Sequence, residues 1–373
     1  MIGAARKALT ELVAFEGLLT SLWADLGDIR PAGPRARQAT ITALAVGISV
    51  SFALLGHMDM PWWAGISGFM SVQATRPGSV QRVILRIAGT IAGAAMALVI
   101  ARFAVEDHVA GSLFLFVAAA VGMLGSLVSP YAYAWLFFAI TANLVVLMSI
   151  NDPGSTLHLA LYRVGEVTMG SLSALLVVTL LAPDTPPAPA PPAPGWSDLL
   201  GARWPALLHA IRTGITVMLL PWAWSWFDLP GLSQMAVTVA AVMAVPVLSD
   251  HPLENGRLIA GRAVQRMLGC ALGGLVALVA LSLSPSEFLP WIVLLVAGVW
   301  LGSYLQTSTR GVGYVGTQAS IVWIMMIVQG WGPPDSLIPG LDRFAGILAG
   351  LAILLVVSLL LWPAEREASG MAD

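Results

Sequence analysis

Cysteine is nearly missing from this chain: one residue, Cys270, in 373. It falls within an apolar helical stretch, so a disulfide framework and a cysteine metal site are both excluded. Histidine is scarce too. His57, His108, His158, His209 and His251 are scattered near expected helix ends without ligand spacing, as polar residues at a membrane interface would be. Charge is the largest deficit: Asp, Glu, Lys and Arg make up 10% of the residues, against about 25% in soluble domains. No phosphate-binding loop, nucleophile elbow or metal motif occurs. An ATP-driven pump on this chain alone is excluded, and no enzyme activity, cofactor or nucleic-acid partner is expected.

What the chain has instead is apolar length. Its residues are 58% hydrophobic and its mean hydropathy is +0.84. Six apolar stretches run at roughly 39–56, 61–75, 83–104, 110–128, 132–150 and 160–182, and six more at 206–227, 231–249, 262–283, 290–307, 313–330 and 341–362. Each is near the ~20 residues that a helix needs to cross a bilayer. The expectation is an all-α polytopic membrane protein of about twelve transmembrane helices. The run Pro183 to Gly195 cannot continue a helix and reads as a linker. The organisation is therefore an amphipathic cytoplasmic segment at 1–35, a first six-helix repeat at 36–184, a Pro-rich linker at 185–204, a second repeat at 205–365 and a tail at 366–373. Residues 1–30 carry Glu11 and Glu16 inside their apolar stretch and do not read as a signal peptide. They form either a helix on the membrane surface or one packed on the bundle.

One helix occurs twice. Gln81 to Ala101 aligns on Gly261 to Leu281 at a constant offset, pairing Arg82 with Arg262, Arg86 with Arg266, Gly89 with Gly269 and Gly93 with Gly273. Such a repeat fixes the architecture. Arg163, Gly170 and Pro183 answer Arg343, Gly350 and Pro363 at the same offset. Six helices per half is an even number, so the repeats insert in parallel. With the N-terminus inside, 15 of the 18 Lys and Arg fall on the cytoplasmic side, and only Arg102, Arg163 and Arg343 fall outside. Both termini are thus expected in the cytoplasm.

The residues able to carry function follow from this map. Arg82 and Arg262 read equally well as interfacial anchors that snorkel to headgroups. Arg86 and Arg266 lie about 6 Å deeper, above a stripe of Gly, Thr and Ala where membrane helices pack closely. Gathered guanidiniums are costly unless an anion neutralises them; the nearby acids, Asp250 and Glu254, lie in one half only. A small organic anion is the expected substrate, beside the lipid bilayer itself. Glu166 is the one acid well inside an expected span, hence a candidate for proton coupling, with a local pair to Arg163 as the alternative. Its counterpart in the second half is Gly346, and Arg163 answers Arg343. The second helix of each half is short and interrupted, as in broken helices that line substrate sites. Gln73 and Gln234 there, with Asn143 and Gln318 in the fifth helices, are candidate polar contacts or interhelical hydrogen bonds. Trp323 is a candidate for stacking on an aromatic ligand. Trp62, Trp63, Trp222, Trp224 and Trp226 are expected in an interfacial belt, and Arg310 in a loop where replacement does little.

The stretch RPGSVQRVILRIAGTIAGAAMALV resembles the signature of the fusaric acid resistance family, within the aromatic acid exporter superfamily. Arg86, Gly89, Thr90 and Gly93 match its Arg-x-x-Gly-Thr-x-x-Gly pattern; in the second half Arg266, Gly269 and Gly273 match while Cys270 replaces the threonine. The resemblance implies export of aromatic or other weak organic acids across a bacterial inner membrane, with a periplasmic adaptor (membrane fusion) protein as partner; with Glu166 as the candidate carrier, a proton gradient is the expected drive. The plant malate channels are similar in their six-helix unit, which leaves an organic-anion channel as the alternative. A non-transporting membrane scaffold is the third reading.

Overall fold

The computed structural model describes residues 16–150, 152–186, 195–197, 199–201, 203–245, 252–283, 287–333, 336 and 338–361. The first half of the N-terminal segment, most of the Pro-rich linker, Asp250 and the tail lie outside them. The described residues are helical and contain no strand. After a helical stretch at 16–27 come α1 (Pro34–Leu55), α2 (Pro61–Ser71), α3 (Arg76–Glu106), α4 (His108–Val128), α5 (Ala132–Ser149) and α6 (Thr156–Leu181). They are followed by α7 (Trp204–Phe227), α8 (Leu232–Met243), α9 (Pro252–Leu281), α10 (Phe288–Gln306), α11 (Gly313–Ile327) and α12 (Ile338–Leu361). Among the described residues 9 helices are long and apolar enough to cross a membrane. The other three, α2, α8 and α11, have only 11, 12 and 15 residues.

Local chemistry sets the ends. Pro34 and Pro61 open their helices, where a missing N–H costs nothing. Asp107 caps α4 by accepting from the backbone N–H of Val109 (2.8 Å) and Ala110 (3.3 Å). Short α2 ends where Val72 turns to extended backbone, and α8 starts after Gly231, whose φ of 68° lies in the left-handed region.

The chain folds into two compact units, and each takes elements from both halves of the sequence. One unit holds α1, α2, the end of α6, most of α9, and α10 and α11. There α1 packs on α2 and α10, and α11 on α10 and α2. The other holds most of α3, α4, α5, the start of α6, α7, α8 and α12. There α4 packs on α5 and α7, and α8 on both α5 and α7.

Close approach rests on small residues. In the first unit a Cβ on Gly170 would meet the backbone of Ala64, 2.8 Å from its carbonyl carbon, so α6 and α2 touch main chain to main chain. Ser49 donates to the Gly170 carbonyl at 3.1 Å in the same place. Trp62 and Trp63, expected at the interface, are instead buried in this unit. Pro61 starts a helix too short to span, and burial of that helix takes the indoles inside with it. Residues 16–27 also pack here: Leu22, with Leu18 and Leu26, covers Leu268, Leu272, Leu305, Val312 and Val315. Asp25 fixes that contact by pairing with Arg35 (3.2 Å) and Arg310 (3.0 Å), and Arg310 also pairs with Asp28. Arg310 is thus a clamp on the N-terminal helix rather than an idle loop residue.

Candidate functional site

The repeated arginines sit in two sockets, one per unit. In the second unit Arg86 projects from α3 towards α5 and is 1% exposed. Its Nη1 donates to the Tyr133 hydroxyl at 2.8 Å, and its guanidinium carbon stands 4.0 Å from the centre of the Phe137 ring. The arrangement combines a hydrogen bond with a cation–π contact, each of which offsets the cost of burying the charge. Glycines make it possible. A Cβ on Gly89 would lie 2.9 Å from the carbonyl carbon of Ala134, and one on Gly93 2.5 Å from the Phe138 oxygen. Only with no side chain at these positions can α3 and α5 come close enough for Arg86 to reach Tyr133.

In the first unit Arg266 projects from α9 towards α11 and is 3% exposed. Its Nη1 donates to Oε1 of Gln318. A Cβ on Gly269 would lie 2.5 Å from the Val315 oxygen, and Gly273 abuts the backbone of Ala319. The two sockets share one register. Tyr133 and Tyr314 each precede the residue under the first glycine, and Phe137 and Gln318 each follow it by three.

The second unit also holds the buried charges of α6. Arg163 and Glu166 are 3% and 2% exposed and lie three residues apart on one face. Arg163 is within Coulombic reach of both the Glu166 carboxylate and the Arg86 guanidinium. Two guanidiniums and one carboxylate therefore share this interior, a local excess of positive charge. Arg343, on α12 of the same unit, is half-buried. Asn143 on α5 is buried, and its Oδ1 has no hydrogen-bond partner among the described residues. The same holds for Oγ1 of Thr90 and of Thr141.

Other expected site residues do more local work. Arg262 donates from Nη2 to the Ala241 carbonyl at 3.1 Å, and His209 Nε2 pairs with the Met243 carbonyl at 2.8 Å. Both satisfy the last turn of short α8, whose carbonyls have no partner within the helix. Gln234 is buried on that helix. Arg82 is half-buried on α3. Gln73 sits in the break between α2 and α3, where its backbone N–H donates to Ser79 Oγ and its Nε2 to the Val72 carbonyl, both at 2.8 Å. Trp323 donates its indole N–H to the Leu295 carbonyl at 3.0 Å and lies flush on Gly298, locking α11 to α10. The described residues hold no cluster of His, Cys, Asp or Glu suited to a metal. Sequence reasoning did not find Tyr133 and Phe137. Their signal was a four-residue spacing in an aromatic-rich stretch, which means nothing until α5 is known to face α3.

The fold and these buried sockets define a multi-pass α-helical membrane protein with cationic side chains held inside its bundle. The chain belongs to the fusaric acid resistance protein-like family, whose model matches it twice, over residues 41–177 and 220–357. It is 25% identical over 202 residues to the multidrug resistance protein MdtO of Escherichia coli, covering 52% of this chain and 28% of that protein. It is 30% identical over 164 residues to the p-hydroxybenzoic acid efflux pump subunit AaeB of Edwardsiella ictaluri, covering 41% of this chain and 25% of that protein. The matched region thus spans about a quarter of either relative's length. No solved structure matches the chain.

Proposed function

We propose that this protein is a secondary transporter that exports aromatic or other weak organic acids across a bacterial inner membrane, driven by a proton gradient. Its twelve helices form two parallel six-helix repeats at 36–184 and 205–365, joined by the linker at 185–204, with both termini cytoplasmic. The anion is drawn in by Arg82, Arg86, Arg262 and Arg266. Gln73, Gln234, Asn143, Gln318 and Trp323 shape its path, and Glu166 with Arg163 and Arg343 couples it to protons. A periplasmic adaptor protein is its partner.

The observation that carries this reading is the pair of buried arginine sockets, Arg86 on α5 and Arg266 on α11, inside a bundle of membrane-spanning helices. A guanidinium held inside a membrane bundle favours a nearby anion. The family match in both halves supports the repeat, and the relatives described as multidrug resistance and p-hydroxybenzoic acid efflux proteins support export. AaeB is described as a pump subunit, which supports a partner.

The test is uptake of labelled 4-hydroxybenzoate into inverted vesicles with an imposed pH gradient. The wild type should accumulate the acid against its concentration gradient. Arg86→Lys keeps the charge but loses the planar fork that grips a carboxylate at two points. A charged hydrogen bond contributes roughly 1.5–3 kcal/mol, so the variant should lose about ten- to hundredfold in affinity at equal expression. Flux that only ever runs down its gradient would point to a channel. Absence of any flux of organic acids would sink the transport reading altogether.

A further inference from the structure

The two sockets share a register but not a chemistry. On the third helix of each half, Thr90 is answered by Cys270. On the fifth, Phe137 is answered by Gln318, Thr141 by Val322 and Asn143 by Ile324, counting from the residues under the paired glycines. In the first unit the arginine is closed off by an amide; Cys270, Val322 and Ile324 are all buried and apolar, with Val322 beside Gly274 of α9 and Ile324 turned to Gly65 of α2. In the second unit the arginine rests on an aromatic face, and the corresponding positions carry three buried oxygens. Thr90 Oγ1, Thr141 Oγ1 and Asn143 Oδ1 have no hydrogen-bond partner among the described residues. All three residues are more than nine-tenths buried. Thr90 stands one turn beyond Arg86 on α3, and the Thr141 Cβ is 3.0 Å from where a Gly93 Cβ would be, so both hydroxyls border the seam of α3 and α5. A buried polar atom without a partner calls for water or a ligand.

We propose that the transport site is one-sided. The organic anion and the water that travels with it bind beside the α3–α5 seam of the second unit, with Arg86 holding the carboxylate and Thr90 and Thr141 solvating the rest. The seam of Arg266, equally close but without the buried hydroxyls, is a structural copy. This rests on the transport reading above and narrows it to one of two pseudo-equivalent sockets. Glu166 and Arg163 belong to the same unit as the polar seam, and Arg163 is within Coulombic reach of Arg86.

Isosteric substitution tests it, because its two outcomes move opposite readouts. Thr90→Val and Thr141→Val remove the hydroxyls and keep the shape. If the oxygens serve water and substrate, each variant loses about tenfold in 4-hydroxybenzoate flux, without a rise in melting temperature. Thr90→Ser, which keeps the hydroxyl, retains flux, and Cys270→Ala in the other seam leaves flux unchanged. Arg86→Lys impairs transport far more than Arg266→Lys. If instead the oxygens are buried dry, the valine variants melt higher and transport normally, and the proposal is overturned. Equal losses in Arg86→Lys and Arg266→Lys would overturn it as well. A wild type without flux would be a failure of the transport reading, distinguishable from both.

Discussion

Two adjacent glycines on α9 should respond to the same substitution in opposite directions. Gly273 faces the backbone of α11: a Cβ there would lie 2.8 Å from the Ala319 Cα and 3.0 Å from its carbonyl carbon. Ordinary carbon–carbon contact is about 3.5–4.0 Å, so Gly273→Ala must push the helices apart by roughly 1 Å. Backbone cannot rotate away as a side chain does, and overpacking of this kind costs about 1–3 kcal/mol. Gly274 is turned aside. Its Cβ would meet only Val322 Cγ1 at 3.7 Å, an ordinary contact. Gly274→Ala should therefore gain up to about 0.5–1 kcal/mol from the better helix former. The two variants should differ by about 2–4 kcal/mol, or roughly 5–15 °C in melting temperature at ~2–4 °C per kcal/mol. The protein carries its own reporter: Cys270, the single cysteine, is fully buried one turn away. A fluorogenic maleimide should label it only when the bundle opens, so the labelling midpoint on heating reads stability directly. If Gly273→Ala opens at or above the temperature of Gly274→Ala, the close packing of α9 on α11 is not what holds Arg266 to Gln318.

Two further outcomes follow from named contacts. Glu166→Gln should abolish accumulation driven by a pH gradient while leaving counterflow exchange intact, since an amide keeps the shape and cannot carry a proton; accumulation that persists would leave Glu166 as no more than the partner of Arg163. Arg310→Gln should speed amide hydrogen exchange across residues 16–27, because Arg310 holds both Asp25 and Asp28. Its hydrogen bond and charge keep the Asp28 carboxyl below the usual carboxylate range, so the wild-type contact is intact above about pH 4 and weakens as pH falls through the lowered value. Exchange unchanged in the variant would mean that the leucines alone hold the helix.

Hydropathy and the duplicated arginine helix were legible without coordinates. The apolar stretches became helices, 9 of them among the described residues long and apolar enough to cross a membrane, and the glycines after Arg86 and Arg266 do mark close contacts. These properties are local: span length follows from rise per residue, and a glycine stripe follows from helical spacing. Partner choice is not local. In a bilayer the lipid-facing and protein-facing sides of a helix are both apolar, so periodicity cannot say which side meets which neighbour. That is why the pairing of α1 and α2 with α10 and α11, and of α7 and α8 with α4 and α5, emerged only in three dimensions. It is also why Tyr133 and Phe137 went unnoticed, why Trp323 turned out to lock α11 to α10, and why Arg262 and His209 were found at the end of α8. The sequence determined that arginines would be buried in this membrane protein. Only tertiary packing decided that one of them would rest on an aromatic ring beside unpartnered hydroxyls and the other against an amide, because those partners arrive from helices about fifty residues away along the chain.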